Sequence, residues 1–147
     1  MRAVRHIGIV VSDMERSFRF YRDLLGLTLV RMMEECGEYI DTVLSLRNAR
    51  VITAKFSADR GSTLIELLEF KSHGREPSEE REVYAIGPSH VALTVDDLDA
   101  VYRQLLRAGV RFNNPPRPSP DGYAKVAFCR DPDGTLIELV EVLKAGI

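Results

Sequence analysis

Two histidines and two glutamates recur along this chain in one order and one setting. His6 opens the run His6-Ile-Gly-Ile-Val-Val, and Glu66 lies inside Thr-Leu-Ile-Glu-Leu at 63–67. His90 opens His90-Val-Ala-Leu-Thr-Val, and Glu138 lies inside a second Thr-Leu-Ile-Glu-Leu at 135–139. Imidazole nitrogens and carboxylate oxygens together suit a divalent ion such as Zn, Ni, Co, Mn or Fe. A carboxylate beside such an ion can also carry a proton on and off a neighbouring carbon. Glu66 and Glu138 sit between isoleucine and leucine, where an unpartnered carboxylate is costly, and a metal is a partner that satisfies it. His6, Glu66, His90 and Glu138 are therefore the candidate metal ligands, with Glu138 and Glu66 as the catalytic carboxylates.

The elements that must position these residues are also written twice. Residues 5–11 are apolar and β-branched, as in a strand buried on both faces. Strand parity puts His6 with Gly8 and Val10, and His90 with Ala92 and Thr94. These histidine faces carry small residues that leave room for a cavity. The opposite faces carry Ile7, Ile9, Val11 and Val91, Leu93, Val95, and are expected to pack on helices. Ser12-Asp13-Met14-Glu15 reads as a capping box with Ser12 as the cap. Met14, Phe18, Tyr21 and Leu25 then recur at helical spacing up to Gly26. Strands are predicted near 28–34, 39–46, 50–57 and over 62–70. In the second half, Asp96 or Asp97 caps a helix with the stripe Leu98, Val101, Tyr102, Leu105, Leu106, which ends at Gly109. Strands follow near 110–113, 124–130 and 135–142, the last after the turn Asp131-Pro132-Asp133-Gly134. Each half thus reads β-α-β-β-β. Glu69 and Glu141 fall on the other strand face and are expected to be solvated or helix-side.

Two segments break the repeat. Residues 71–88, with Glu79-Glu80-Arg81-Glu82, form a charged linker with room for a short helix. Residues 114–122 are too proline-rich for a regular strand and read as a semi-rigid surface loop. With Tyr123 and Lys125, that loop is either a cover that supplies substrate contacts or a plain hairpin connection. His73, Arg47 and Arg50 read as surface residues, although the two arginines are placed where an anionic substrate would find them.

Composition narrows the class. At 147 residues, 45% hydrophobic and 29% charged, the chain is one soluble globular domain. A net charge of −2 with no basic patch argues against nucleic acid. No apolar run approaches the roughly 20 residues of a membrane helix. The absence of a signal-like apolar region predicts a cytoplasmic protein. Cys36 and Cys129 lack metal-site spacing and are expected to be reduced structural thiols.

The runs at 6–15, Phe20-Tyr21-Arg22-Asp23-Leu24-Leu25-Gly26-Leu27, 89–98 and 131–139 resemble the vicinal oxygen chelate superfamily. That superfamily includes glyoxalase I, methylmalonyl-CoA epimerase and the extradiol dioxygenases. The resemblance implies an α+β fold of two tandem βαβββ modules, residues 1–70 and 89–143, forming a U-shaped eight-stranded mixed-sheet cleft around one metal held by His6, Glu66, His90 and Glu138. It implies a homodimer with a small-molecule substrate. It also implies a divalent-metal-dependent lyase or isomerase of glyoxalase or epimerase type, working through a metal-stabilised enolate of a small carbonyl or thioester. Two other activities of the superfamily compete. An Fe(II) extradiol-type dioxygenase requires two histidines and one carboxylate, and Glu66 is one carboxylate too many. A non-catalytic antibiotic-binding protein lines its cleft with aromatics, which are 7% here with no Trp. The chain departs from bacterial glyoxalase I at Val10, where those enzymes resemble Arg, and at Leu67-Leu68-Glu69-Phe70-Lys71, where they carry an Asn-Trp-Gly stretch.

Overall fold

In both halves the Thr-Leu-Ile-Glu-Leu segment lies parallel to the strand that begins at histidine. The computed structural model describes residues 2–59, 61, 63–74 and 82–144. The chain divides into two compact units, Met1–Pro77 and Ser78–Ile147. The first runs β1 (His6–Val10), α1 (Met14–Phe18, continued by a π-helical stretch over Arg19–Leu24), β2 (Thr28–Cys36), α2 (Glu38–Leu44), β3 (Arg50–Ser57) and β4 (Leu64–Phe70). The second runs β5 (His90–Thr94), α3 (Leu98–Arg107), β6 (Arg117–Pro118), β7 (Ala124–Arg130) and β8 (Leu136–Val142). The class is α+β, with the βαβββ plan in each half. Among the described residues the eight strands form two mixed sheets of four, ordered β1-β4-β3-β2 and β5-β8-β7-β6.

The faces divide by parity as expected, with two corrections, of which the first is that Ile7, expected to pack on a helix, is exposed near the start of the edge strand. Ile9 and Val91 are buried, whereas His6, Gly8, Val10, His90, Ala92 and Thr94 are exposed. β1 is therefore open on its histidine face and not buried on both sides. Its apolar composition reflects one packed face and a short edge strand. The packed face of the first sheet meets α1, where Phe18 stacks edge-on against Phe56 at 5.2 Å. Consecutive Phe20 and Tyr21 are both buried, at the point where the helix widens into its π-helical stretch.

The second glutamate of each repeat holds the helix onto the sheet. Glu69 on β4 accepts from the backbone N of Met14 at 3.2 Å, and Glu141 on β8 accepts from that of Leu98 at 2.8 Å. Each carboxylate meets the unpaired N–H groups of a helix start, where negative charge is favoured. Of the two expected settings, solvated or helix-side, the structure selects the helix side. Asp97 caps α3 by accepting from Ala100 N at 2.9 Å. In the first unit the cap is Asp13, which accepts from Arg16 N at 2.8 Å, and not Ser12. The helix begins at Met14, so the residue before it takes the capping position, while Ser12 Oγ accepts from Arg16 Nη2. Gly26 and Gly109 close the helical segments at φ 74° and 83°, values that suit glycine.

Other departures have local causes. Residues 39–46 do not form a strand. Glu38–Leu44 is helix α2, because Ile40 and Leu44 stand one turn apart and pack together with Ala49, Val51, Leu68 and Phe70. Asp41 locks the return to β3 by accepting from Asn48 N at 2.8 Å and Ala49 N at 2.7 Å. Residues 110–113 supply only the bridge Phe112↔Cys129. Within the proline-rich loop, Arg117–Pro118 pairs with Val126 and Lys125 as a two-residue edge strand. In the 71–88 linker, residues 75–81, with most of its charge run, lie outside the described residues. Among the described residues no helix is long and apolar enough to cross a membrane.

Candidate metal centre

The two ladders place histidine and glutamate by the same register. Gly8 lies beside Glu66 on β1 and β4, and Ala92 lies beside Glu138 on β5 and β8. Each histidine sits two residues upstream on the same face, so its ring reaches over a small neighbour to the glutamate. His6 Nε2 stands 3.0 Å from Glu66 Oε2, and His90 Nε2 stands 3.1 Å from Glu138 Oε2. A Cβ on Gly8 would come within 3.3 Å of Leu68 Cδ1, so this neighbour is small in part for packing. Each unit thus brings its two predicted donors together. Among the described residues no group of three or more His, Cys, Asp or Glu side chains forms a metal cluster. The predicted four are seen as two pairs.

The pairs have different neighbours, and sequence reasoning missed these. Lys55 faces Glu66 across the antiparallel β3–β4 ladder, and its Nζ stands 2.9 Å from Glu66 Oε1. One oxygen of this buried carboxylate therefore meets an ammonium and the other an imidazole. The corresponding position opposite Glu138 is Phe128, whose ring lies edge-on to His90 at 5.3 Å. His90 Nδ1 is also 3.1 Å from Ser89 Oγ, a contact that orients the ring and leaves Nε2 for a ligand. The signal for Lys55 is in the sequence only once the hairpin register is known, because opposed residues then share a face.

The remaining candidates have structural roles. Arg50 pairs with Glu34, and Arg47 is exposed. His73 lies partly exposed at the surface, with its ring edge-on to Phe70 at 6.4 Å and its Nδ1 2.8 Å from Ser72 Oγ. Lys125 bonds Asp99 at 2.7 Å and Glu141 at 2.9 Å, which ties α3 to the sheet. That bonding holds the Lys125 ammonium above its ordinary pKa and the Glu141 carboxylate below its own. Both cysteines are unbridged. Burial pushes the Cys129 thiol up to about 12, so it stays protonated and unreactive. Cys36 is exposed at the end of β2.

The donors fit a divalent ion. Nitrogen and oxygen ligands each about 2.1 Å from one ion stand roughly 3.0–3.4 Å apart at octahedral or tetrahedral angles. The pairs are at 3.0 and 3.1 Å. Lys55 engages Oε1 of Glu66, which leaves Oε2 on the histidine side.

Comparison with known proteins places the chain in a family. The profile of the Glyoxalase/Bleomycin resistance protein/Dioxygenase superfamily matches residues 3–139. YraH of Bacillus subtilis is 33% identical over 140 residues, covering 93% of this chain and 96% of that protein. A lactoylglutathione lyase of Haemophilus influenzae is 29% identical over 138 residues, covering 94% and 91%. The crystal structure of a glyoxalase family protein from Bacillus cereus matches the fold with a TM-score of 0.89 at 24% identity, covering 98% of this chain and 96% of that one.

Proposed function

Because the chain belongs to the Glyoxalase/Bleomycin resistance protein/Dioxygenase superfamily, we propose that it is a divalent-metal-dependent lyase or isomerase. Its substrate is a small carbonyl compound, hemithioacetal or thioester, and its ligands are His6, Glu66, His90 and Glu138. The observation that carries this reading is the doubled His–Glu pair, at 3.0 and 3.1 Å on the open face of each sheet. A bound divalent ion lends Lewis acidity to the substrate oxygens. The chain's own residues do the rest. Glu66, held on both oxygens by Lys55 and His6, is the fixed ligand. Glu138 has His90 Nε2 at 3.1 Å and no lysine on its rung of the sheet, so it is the carboxylate that takes a proton from the carbon beside the carbonyl and returns it. Ser89 positions His90 through Nδ1.

The lyase named among the relatives supports hemithioacetals as the first compounds to test. Val10 and Leu67-Leu68-Glu69-Phe70-Lys71, where the chain departs from bacterial glyoxalase I, broaden the search to thioesters. The test is metal analysis of the purified protein, followed by solvent deuterium exchange into hemithioacetals and 2-oxo thioesters. Stoichiometric metal with exchange that disappears in Glu138→Gln is the expected result. Oxygen uptake with catechols and no exchange overturns it, as does a protein that binds no divalent metal.

A further inference from the structure

We propose that Lys55 and Arg31 form an anion-binding subsite beside the His6–Glu66 pair, so that the substrate carries a carboxylate or similar anionic group next to the oxygens it presents to the metal. This rests on the metal-dependent reading above and narrows its substrate class.

The register carries the inference. Arg31 on β2 faces Lys55 on β3, and Lys55 faces Glu66 on β4. Directly opposed residues share a face, and neighbouring strands are about 4.8 Å apart. One rung of the open face therefore reads guanidinium, ammonium, carboxylate, and ends at Gly8, with His6 two residues upstream on β1 and 3.0 Å from the carboxylate. Two cations stand there against one carboxylate. An ammonium has three donors, and Glu66 Oε1 takes one of those of Lys55. The Lys55 side chain is 27% exposed, so it is neither sealed in the core nor fully solvated. Arg31 is exposed, and among the described residues it has no hydrogen-bond or ion-pair partner.

The second unit supplies the control. It holds Glu138 on the corresponding rung of its own sheet, 3.1 Å from His90, with Phe128 where the first unit has Lys55. A glutamate at this position does not need a lysine to be accommodated by the fold. The cations of the first unit are thus a property of that unit's face, and a substrate anion is the group that completes their charge.

The test uses the whole chain loaded with Co²⁺ and two probes. Acetohydroxamate chelates through its two oxygens, and succinomonohydroxamate is the same chelator with a carboxylate arm. Titration of the cobalt absorption bands gives both dissociation constants. The wild type is expected to bind the carboxylate-bearing probe at least about tenfold more tightly, the yield of one charge-assisted hydrogen bond. Lys55→Met is expected to abolish that preference, read as the ratio of the two dissociation constants so that any change at Glu66 acts on both probes alike. Lys55→Arg restores most of the preference, and Arg31→Met loses part of it. A wild type without preference, or a preference undiminished in Lys55→Met, overturns the subsite and leaves the metal centre standing. Cobalt that fails to bind, or that binds equally well to His6→Ala, overturns the metal reading and the subsite with it.

Discussion

Glu66 and Glu138 occupy the same rung of two ladders in identical register, yet the first is clamped between a lysine and a histidine and the second has a phenylalanine on the far side. The frame is common because it depends on strand order, on the small residue beside each glutamate and on a histidine two positions upstream. The electrostatics differ because a single cross-strand position differs, Lys55 in one unit and Phe128 in the other. On the function proposed above, a duplicated scaffold keeps two His–Glu pairs and divides the work between them, one carboxylate fixed and one able to exchange a proton.

The largest expected effect separates those roles. Glu138→Gln should lower turnover by about 10²–10⁴-fold, the usual contribution of a general acid–base. Glu66→Gln should act chiefly on metal affinity, by about tenfold or more, as loss of a well-oriented metal contact does. Turnover measured at saturating metal, together with metal titration, distinguishes the two. Equal losses of turnover in both variants at full occupancy would break the comparison.

A second pair asks whether the frames are equally packed. Leu67 and Leu139 follow the two glutamates and are both fully buried. Leu67→Ala and Leu139→Ala should each cost about 2–5 kcal/mol, read from urea unfolding of each variant. A cost under about 1 kcal/mol in one unit would mean that its helix face repacks. Smaller again is the helix tether. Glu69→Ala should cost about 1–2 kcal/mol in the same assay, because Met14 N loses its acceptor.

The smallest effect is in pH. The Lys125 ammonium, followed by the Leu98 N–H, holds Glu141 below its ordinary value of 4.5. A depressed carboxylate stabilises the fold above its unfolded value and loses that contribution as pH falls through its folded value. The Tm difference between wild type and Glu141→Gln should therefore be full at neutral pH and shrink on acidification below about pH 4. A difference that stays constant down to low pH would show that Glu141 acts by packing and not by charge.

The site was legible in unequal parts. His6, Glu66, His90 and Glu138 were singled out as candidates from the repeat, and the structure brings them together as two pairs, since identity and strand parity are properties of neighbours in the chain. Glu69 and Glu141 were recognised as belonging to the other face, while the helix starts that they hold were not. Helix α2 was misread as a strand because Tyr39-Ile40-Asp41-Thr42-Val43-Leu44 is β-branched, and the choice between states was made by Ile40 and Leu44 reaching a shared core and by Asp41 closing the return. Lys125 was a possible substrate contact until Asp99 and Glu141 took its donors.

By itself the sequence determined the βαβββ plan written twice, the helix stops at Gly26 and Gly109, and the two histidines and two glutamates that pair, because periodicity and repetition act over a few residues. Tertiary structure alone decided that Lys55 and Arg31 share a rung with Glu66, that Phe128 takes the equivalent place beside Glu138, and that the second glutamates grip the helix starts. Those contacts join residues on different elements of the fold. Strand order and register, set by burial of whole faces, determine which of them meet.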